Sequence, residues 1–367
     1  MRNVLREYGF TEDVITQKLN NAFCEIFEDN ETKFYYEQGD TGYMMDTGNV
    51  DARTEGMSYG MMAAVQMGRQ DIFDRLWKWS KLHMWQEKGP FSGYFAWSCA
   101  LDGTKYSEGP APDGEEYYAM ALFFASHKFG DRESPFDYSR QAKDIIPAMI
   151  NKGRLPNTGE PMFNRNNKLI LFVPGCPFSD PSYHLPHFYE LFAKWCYEED
   201  RDFMLKAAAA SRQYLRLACH PITGLASDYA NFDGSPVEIK GRGHTHNSDS
   251  YRVALNIGLD ALWFGKDIDW QSAEAEKLQD FYMKNPHAMT DTVVTIDGKP
   301  YTELIMHPLA LLSTASAISA ARPKNPISKQ FISKFMKADL RKDERRYYDN
   351  FIYFFSLLAL SGRYKIF

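Results

Sequence analysis

The sequence predicts an all-α fold of about twelve helices, paired into six hairpins that close into a toroid. Three observations predict it. Apolar residues recur at helical spacing from end to end of the 367 residues. Nowhere do strands and helices alternate in the way that builds a parallel sheet. Long Gly/Pro-rich or charged linkers are missing, and hydrophobic residues make up 44% of the chain, enough to fill one large core. A single domain over 1–367 is therefore expected. The hairpins share no sequence repeat, so a two-layer helical bundle is the competing arrangement of the same elements.

In chain order, the helices are expected at 11–28, 55–68, 70–86, 114–128, 137–151, 184–198, 200–219, 247–264, 268–284, 304–320, 326–337 and 346–361. Thr11-Glu12-Asp13 supplies a start signal for the first. Asp113 is expected to cap the fourth, ahead of Gly114-Glu115-Glu116, and Ser248-Asp249 to open the eighth. Gly68, Gly130, Gly153 and Gly265 lie near helix ends, where a positive φ costs glycine little. The connections 29–54, 87–113, 152–183, 220–246 and 285–303 are long, aromatic and polar. Long irregular segments in a compact fold are usually functional or disordered. Phe34-Tyr35-Tyr36, Tyr94-Phe95-Ala96-Trp97 and Phe172-Val173 point to short strands within them, at one end of the toroid.

Composition narrows the class of function. Much of the aromatic share, 26 Phe, 22 Tyr and 7 Trp, must be core, and an excess beyond core needs would also suit a sugar cleft, where flat rings stack on pyranose faces. A formal charge of −6 with no basic block argues against nucleic acid or an anionic membrane as partner. No apolar run is long enough to cross a bilayer. The five cysteines are scattered, odd in number and without a C-x-x-C pair, as in the reduced thiols of a cytoplasmic protein. Met1–Glu7 has no apolar signal region, which fits the same location.

Three stretches carry chemistry. In Asp51-Ala52-Arg53-Thr54-Glu55-Gly56-Met57-Ser58-Tyr59-Gly60-Met61-Met62, a carboxyl stands at the start of an apolar, Met-rich helix flanked by small residues. Apolar surroundings disfavour the charged form, which suits a general acid near neutral pH. Helix capping, with Arg53 as ion partner, explains Glu55 equally well. In Pro110-Ala111-Pro112-Asp113-Gly114-Glu115-Glu116, Asp113 reads first as a cap, a role compatible with substrate contact. In His246-Asn247-Ser248-Asp249-Ser250-Tyr251-Arg252, Arg252 stands three residues after Asp249 and can pair with it. The result is either a capped helix with a salt bridge or a carboxylate held ionised as a base. Two carboxyl groups with separated pKa values are what acid–base cleavage of a glycosidic bond requires. Other chemistries lack support: there is no H-E-x-x-H, His244-x-His246 is too short a zinc pattern, and no G-x-S-x-G, P-loop or dinucleotide fingerprint occurs.

Together, Arg53–Met61, Pro112–Glu116 and Ser248–Arg252 resemble glycoside hydrolase family 8 in motif order and separation. The resemblance runs from about residue 40 to Leu360-Ser361-Gly362-Arg363-Tyr364. It implies an (α/α)6 barrel and hydrolysis with inversion, without metal or organic cofactor. By resemblance Glu55 protonates the leaving oxygen, and Asp249 takes a proton from water attacking the opposite face. Inversion then implies carboxyl groups about 6.5–9.5 Å apart. Asp113 would bind and distort the sugar at the cleavage point, and Tyr183, in Ser182-Tyr183-His184, would hold the water. Trp97 would stack on a sugar, and Arg252 would support the base.

Within the family, the sequence is most similar to enzymes that release xylose from the reducing end of xylo-oligosaccharides. Leu304-Ile305-Met306-His307-Pro308 resembles their His-Pro kink, which walls off the cleft and sets His307 against the terminal sugar. Met306 stands where that pattern has Leu. A His-Pro pair interrupting a core helix is the structural alternative. The competing functions are an endo-acting family 8 xylanase or β-glucanase and, from another class, a helical-toroid sugar epimerase or a non-catalytic sugar-binding protein.

Overall fold

A computed structural model describes residues 1–153, 159–239 and 243–367. Parts of the connections 152–183 and 220–246, namely 154–158 and 240–242, lie outside the described residues. The helices are α1 (Val4–Glu7), α2 (Glu12–Phe27), α3 (Thr54–Met67), α4 (Gln70–Trp79), α5 (Pro112–Phe129), α6 (Tyr138–Asn151), α7 (Pro186–Trp195) and α8 (Glu198–Ala218). They continue with α9 (Arg252–Trp263), α10 (Ile268–Lys284), α11 (His287–Thr290), α12 (Pro308–Ala317), α13 (Pro326–Lys337) and α14 (Arg346–Leu360). The strands are β1 (Tyr35–Gln38), β2 (Thr41–Met44), β3 (Ala52–Arg53), β4 (Ser98–Cys99), β5 (Lys105–Ser107), β6 (Thr245–His246), β7 (Thr292–Thr295) and β8 (Pro300–Leu304). Helix occupies 53% of the described residues, and the strands are short antiparallel pairings in the connections, so the fold is mostly helical as expected.

The residues gather into two compact units. The N-terminal unit comprises Cys24–Pro177, Phe188–Ala208 and Ile366–Phe367; the C-terminal unit comprises Met1–Phe23, Phe178–His187 and Ala209–Lys365. In the N-terminal unit, α3 packs along α5, and both are buried on nearly every face through their first three turns. Such all-round burial marks core helices. Small residues permit the close approach. A Cβ on Gly114 of α5 would lie 2.5 Å from the Cβ of Thr54, so the first turns of the two helices touch. Helix α6 covers α5 with an apolar stripe of Ile145, Ile146, Met149 and Ile150, leaving its other face toward water. Strands β1–β2 form a hairpin, and β3–β4–β5 form a three-stranded sheet.

The C-terminal unit repeats the plan. Helices α9, α12 and α14 pack on one another and are buried almost all round, while α10 and α13 are amphipathic covers. Strands β6–β7–β8 make its sheet.

Several expectations need correction. The eighth helix begins at Arg252, not 247. Ahead of it the Ser250 hydroxyl accepts the Asn247 N–H (3.0 Å) and donates to the Asn247 carbonyl (2.8 Å). The backbone then closes i→i−3 bonds from Arg252 to Asp249 and from Val253 to Ser250, a tight turn in place of an α-helical one. Residues 300–304 are strand β8, and α12 starts at Pro308, because proline is tolerated in a first turn but not farther inside. The His-Pro pair therefore opens a helix and interrupts none. Phe172 and Val173 lie in a bend, and Phe95 makes only an isolated bridge to Trp85; the strand after it is β4. Helices α1 and α11 are too short for periodicity to reveal. Gly68, Gly130, Gly153 and Gly265 all take positive φ.

Candidate active site

In the N-terminal unit, Glu55 is the second residue of α3 and half-buried, whereas almost all of its helix neighbours are buried. The residue in the capping position is Arg53, which contributes no side-chain cap. Arg53 instead binds Asp46 (3.1 Å) and Asp51 (3.0 Å), and its guanidinium lies 5.4 Å from the Trp97 ring centre. The Thr54 N–H donates to the Trp97 carbonyl (2.9 Å), and the pairing Arg53↔Ser98 in β3–β4 fixes the register of that contact. Trp97 is 37% exposed, an aromatic face open to a ligand. The structure thus brings Trp97 beside the strand that feeds Glu55.

Asp113 is not the cap of α5. Ala111 holds that position, Pro112 is the first helical residue, and Asp113 follows within the first turn, its Oδ1 accepting the Gly114 N–H (2.9 Å). The contact of Gly114 with Thr54 sets this turn against the one bearing Glu55. Two acids beside Asp113 were not singled out from the sequence. Glu115 is fully buried and accepts the Phe95 N–H (2.9 Å), tying α5 to the segment that leads to Trp97. Burial pushes its carboxyl up to about 8, against the pull of that N–H. Glu116 is also fully buried and accepts the Tyr189 hydroxyl. Acids in an otherwise apolar helix were the signal available.

In the C-terminal unit, Asp249 lies in the turn before α9, with Arg252 Nη2 3.1 Å from its Oδ1. The Arg252 side chain is 5% exposed and that of Asp249 37%, so the cation is buried and the carboxylate reachable. Arg252 also lies 5.5 Å from the centre of the Tyr183 ring. Tyr183 ends a 3₁₀ turn, Pro181–Tyr183, capped by Asp180, whose Oδ1 accepts the Ser182 N–H (2.7 Å). Asn256 of α9 donates to the Ser182 carbonyl (2.8 Å), which holds the turn against that helix. Asp249, Arg252 and Tyr183 therefore form one cluster.

Asp180 and Asp228 complete the cluster and were missed in the sequence. Asp180 is fully buried, and its carboxyl is held well above the usual range, first by burial and then by Asp249, with Arg252 opposing. Asp228 is 2% exposed and accepts the Ser250 N–H (3.1 Å). Asp249 binds the Arg252 guanidinium, and both act electrostatically on Asp180. Behind them His184 bonds Ser179 and Ser211, and burial lowers its pKa to about 3, so the ring is neutral.

His307, 9% exposed, precedes α12 and presents Nδ1 to Asp349 Oδ2 at 2.9 Å. Leu304 and Met306, just before it, are exposed. Among the described residues, no group of three or more His, Cys, Asp or Glu is arranged to hold a metal ion. None of the described helices is long and apolar enough to cross a membrane.

The family described as "Glycosyl hydrolases family 8" matches residues 21–360. The chain belongs to glycoside hydrolase family 8. This glycosidase is 53% identical, over 100% of its length and 94% of the relative's, to a reducing end xylose-releasing exo-oligoxylanase of Halalkalibacterium halodurans. It is 47% identical, over 100% of its length and 96% of the relative's, to a reducing-end xylose-releasing exo-oligoxylanase of Paenibacillus barcinonensis. A crystal structure of a reducing-end-xylose releasing exo-oligoxylanase mutant complexed with xylobiose matches with a TM-score of 0.96 and 52% identity, covering 100% of this chain and 97% of that one.

Proposed function

We propose that this family 8 glycosidase removes xylose from the reducing end of β-1,4-xylo-oligosaccharides with inversion, Glu55 serving as general acid and Asp249 as general base. The observation that carries the reading is 53% identity along the whole chain to an enzyme named for that release. The six-hairpin (α/α)6 barrel, as one catalytic domain over 1–367, belongs to the same reading. It is supported by family membership and by the pairing of buried with amphipathic helices within each unit. The cytoplasmic location belongs to it too, on the strength of five scattered cysteines without a C-x-x-C pair.

The chemistry then runs as follows. Glu55 gives its proton to the glycosidic oxygen as the bond from that oxygen to C1 breaks. A water oxygen bonds to C1 from the opposite face, and Asp249 takes that water's proton. Asp249 suits the base because its carboxylate is reachable and is held in place by the buried Arg252 guanidinium. Tyr183, beside Arg252, holds the water, and Asp113 binds the sugar at the cleavage point. Trp97 offers its exposed face for stacking. His307 closes the space beyond the cut, so that one sugar fits there. For xylotriose, the sum is one water consumed and xylose plus xylobiose formed.

Chromatography of products tests the reading. Xylotriose should give xylose and xylobiose, while reducing-end-reduced xylotriose and insoluble xylan should be attacked poorly. Proton NMR should show the α-anomer first at the newly formed end. Efficient conversion of xylan into mixed oligomers would remove the exo assignment in favour of an endo-acting enzyme.

A further inference from the structure

The His307 side chain belongs to a network that the reaction scheme leaves unexplained. Asp349, in the first turn of α14, is completely buried. Its Oδ2 accepts from Arg341 Nη1 (2.6 Å) and lies 2.9 Å from His307 Nδ1. Its Oδ1 accepts the Ala310 N–H at the start of α12 (2.6 Å). Arg341 Nη1 also donates to the Met306 carbonyl (2.7 Å), one residue before the histidine. Asn350 fixes the Arg341 backbone from both sides, accepting its N–H (2.8 Å) and donating to its carbonyl (2.9 Å). The histidine ring is therefore held by a buried acid that is itself clamped by an arginine and a helix start.

A carboxylate paired with guanidinium is ionised and can only accept hydrogen bonds. The proton in the contact with His307 must then sit on Nδ1, and in the neutral ring Nε2 carries the lone pair. We propose that Asp349, clamped by Arg341, is a positioning residue that locks His307 as its Nδ1–H tautomer and makes Nε2 an acceptor for a hydroxyl of the terminal sugar. This rests on the reading of His307 as the wall beyond the cut. An acceptor there favours a chain end. At a reducing terminus the oxygen on C1 is a hydroxyl and can donate, whereas in a continuing chain it is an ether oxygen whose lone pairs face the nitrogen unfavourably. Tautomer choice thereby becomes part of end recognition.

The decisive variant is Asp349→Asn. The Ala310 N–H is fixed backbone and needs the amide oxygen at the Oδ1 position, while Arg341 Nη1 can turn from Oδ2 to the Met306 carbonyl it already bonds, so the amide NH₂ should face His307 and donate to Nδ1. The tautomer should invert, turning Nε2 into a donor. Two-bond ¹H–¹⁵N correlation spectra of histidine-labelled protein, with the His307 signal identified by its loss in His307→Ala, read the tautomer directly. Wild type should show protonated Nδ1 and Asp349→Asn protonated Nε2. The preference for xylotriose over its methyl β-glycoside, whose C1 oxygen is an ether, should fall about tenfold in Asp349→Asn as a ratio of kcat/KM, mainly through KM. A wild-type His307 protonated on Nε2 overturns the proposal, even if the variant does not fold. Unchanged tautomer and preference in a folded Asp349→Asn also overturn it, while loss of preference in His307→Ala keeps the wall reading intact. Should His307→Ala leave the preference unchanged, the wall reading itself fails, and this inference fails with it.

Discussion

The N-terminal and C-terminal units use the same device with opposite electrostatics. Each carries its candidate carboxyl at the start of a helix buried almost all round, Glu55 within the first turn of α3 and Asp249 in the turn before α9. Around Glu55, Arg53 is engaged by Asp46 and Asp51, and the buried acid one helix away, Glu115, holds its proton to about pH 8. Around Asp249, a buried guanidinium lies directly on the carboxylate, and Asp180 nearby is held well above the usual carboxylate range, first by burial and then by Asp249. Glu55 and Asp249 thus differ in what lies behind each carboxyl: an apolar helix for the first and a buried guanidinium for the second.

Deleting either carboxyl should have the largest effect. Glu55→Ala and Asp249→Asn should each lower kcat on xylotriose by about 10²–10⁴-fold with circular dichroism unchanged. A near-normal rate in one variant would remove that residue from the chemistry. A gentler test addresses the supporting acids. Unfolded Glu115 ionises near 4.5, while the folded chain keeps the proton up to about 8. Between those values the unfolded state binds fewer protons, so this group makes stability fall as pH rises through the window. Glu115→Gln keeps an acceptor for the Phe95 N–H and removes the titration. Its melting temperature should match wild type near pH 4.5 and exceed it by about 5 °C or more at pH 8. A constant offset at all pH values would show that Glu115 does not hold its proton. The smallest effect is expected at the exposed platform. Trp97→Ala should raise KM about three- to tenfold with little change in kcat, and an unaltered KM would mean that no sugar rests there.

Much of this was legible in the sequence because it is local. The apolar spacing in α10 and α13 marks both ends of those helices, and Glu55, Asp113 and Asp249 sit in motifs a few residues long. Where the reading failed, long-range or side-chain bonding decided the outcome. Asp249 looked like a helix cap, but the N–H groups of Arg252 and Val253 bond carbonyls three residues back, so the α-helix begins after that turn. Asp180, Asp228 and Asp349 are ordinary acids in sequence, and only burial beside Arg252 or Arg341 sets them apart. Nothing around Tyr348-Asp349 hints that this turn reaches a histidine 42 positions earlier.

That turn has a consequence for redesign. Asp349 holds His307, and its neighbour Tyr348 packs on the same ring, with centroids 4.8 Å apart, while bonding the carbonyl of Ser248 next to Asp249. One fastener serves two parts of the machine. Cutting back the 304–307 segment to admit longer chains would also slacken the loop that carries Asp249, so a change of diet should come with a slower turnover. Directed evolution toward polymer would then be expected to return compensating changes at Tyr348 and its surroundings before it recovers speed.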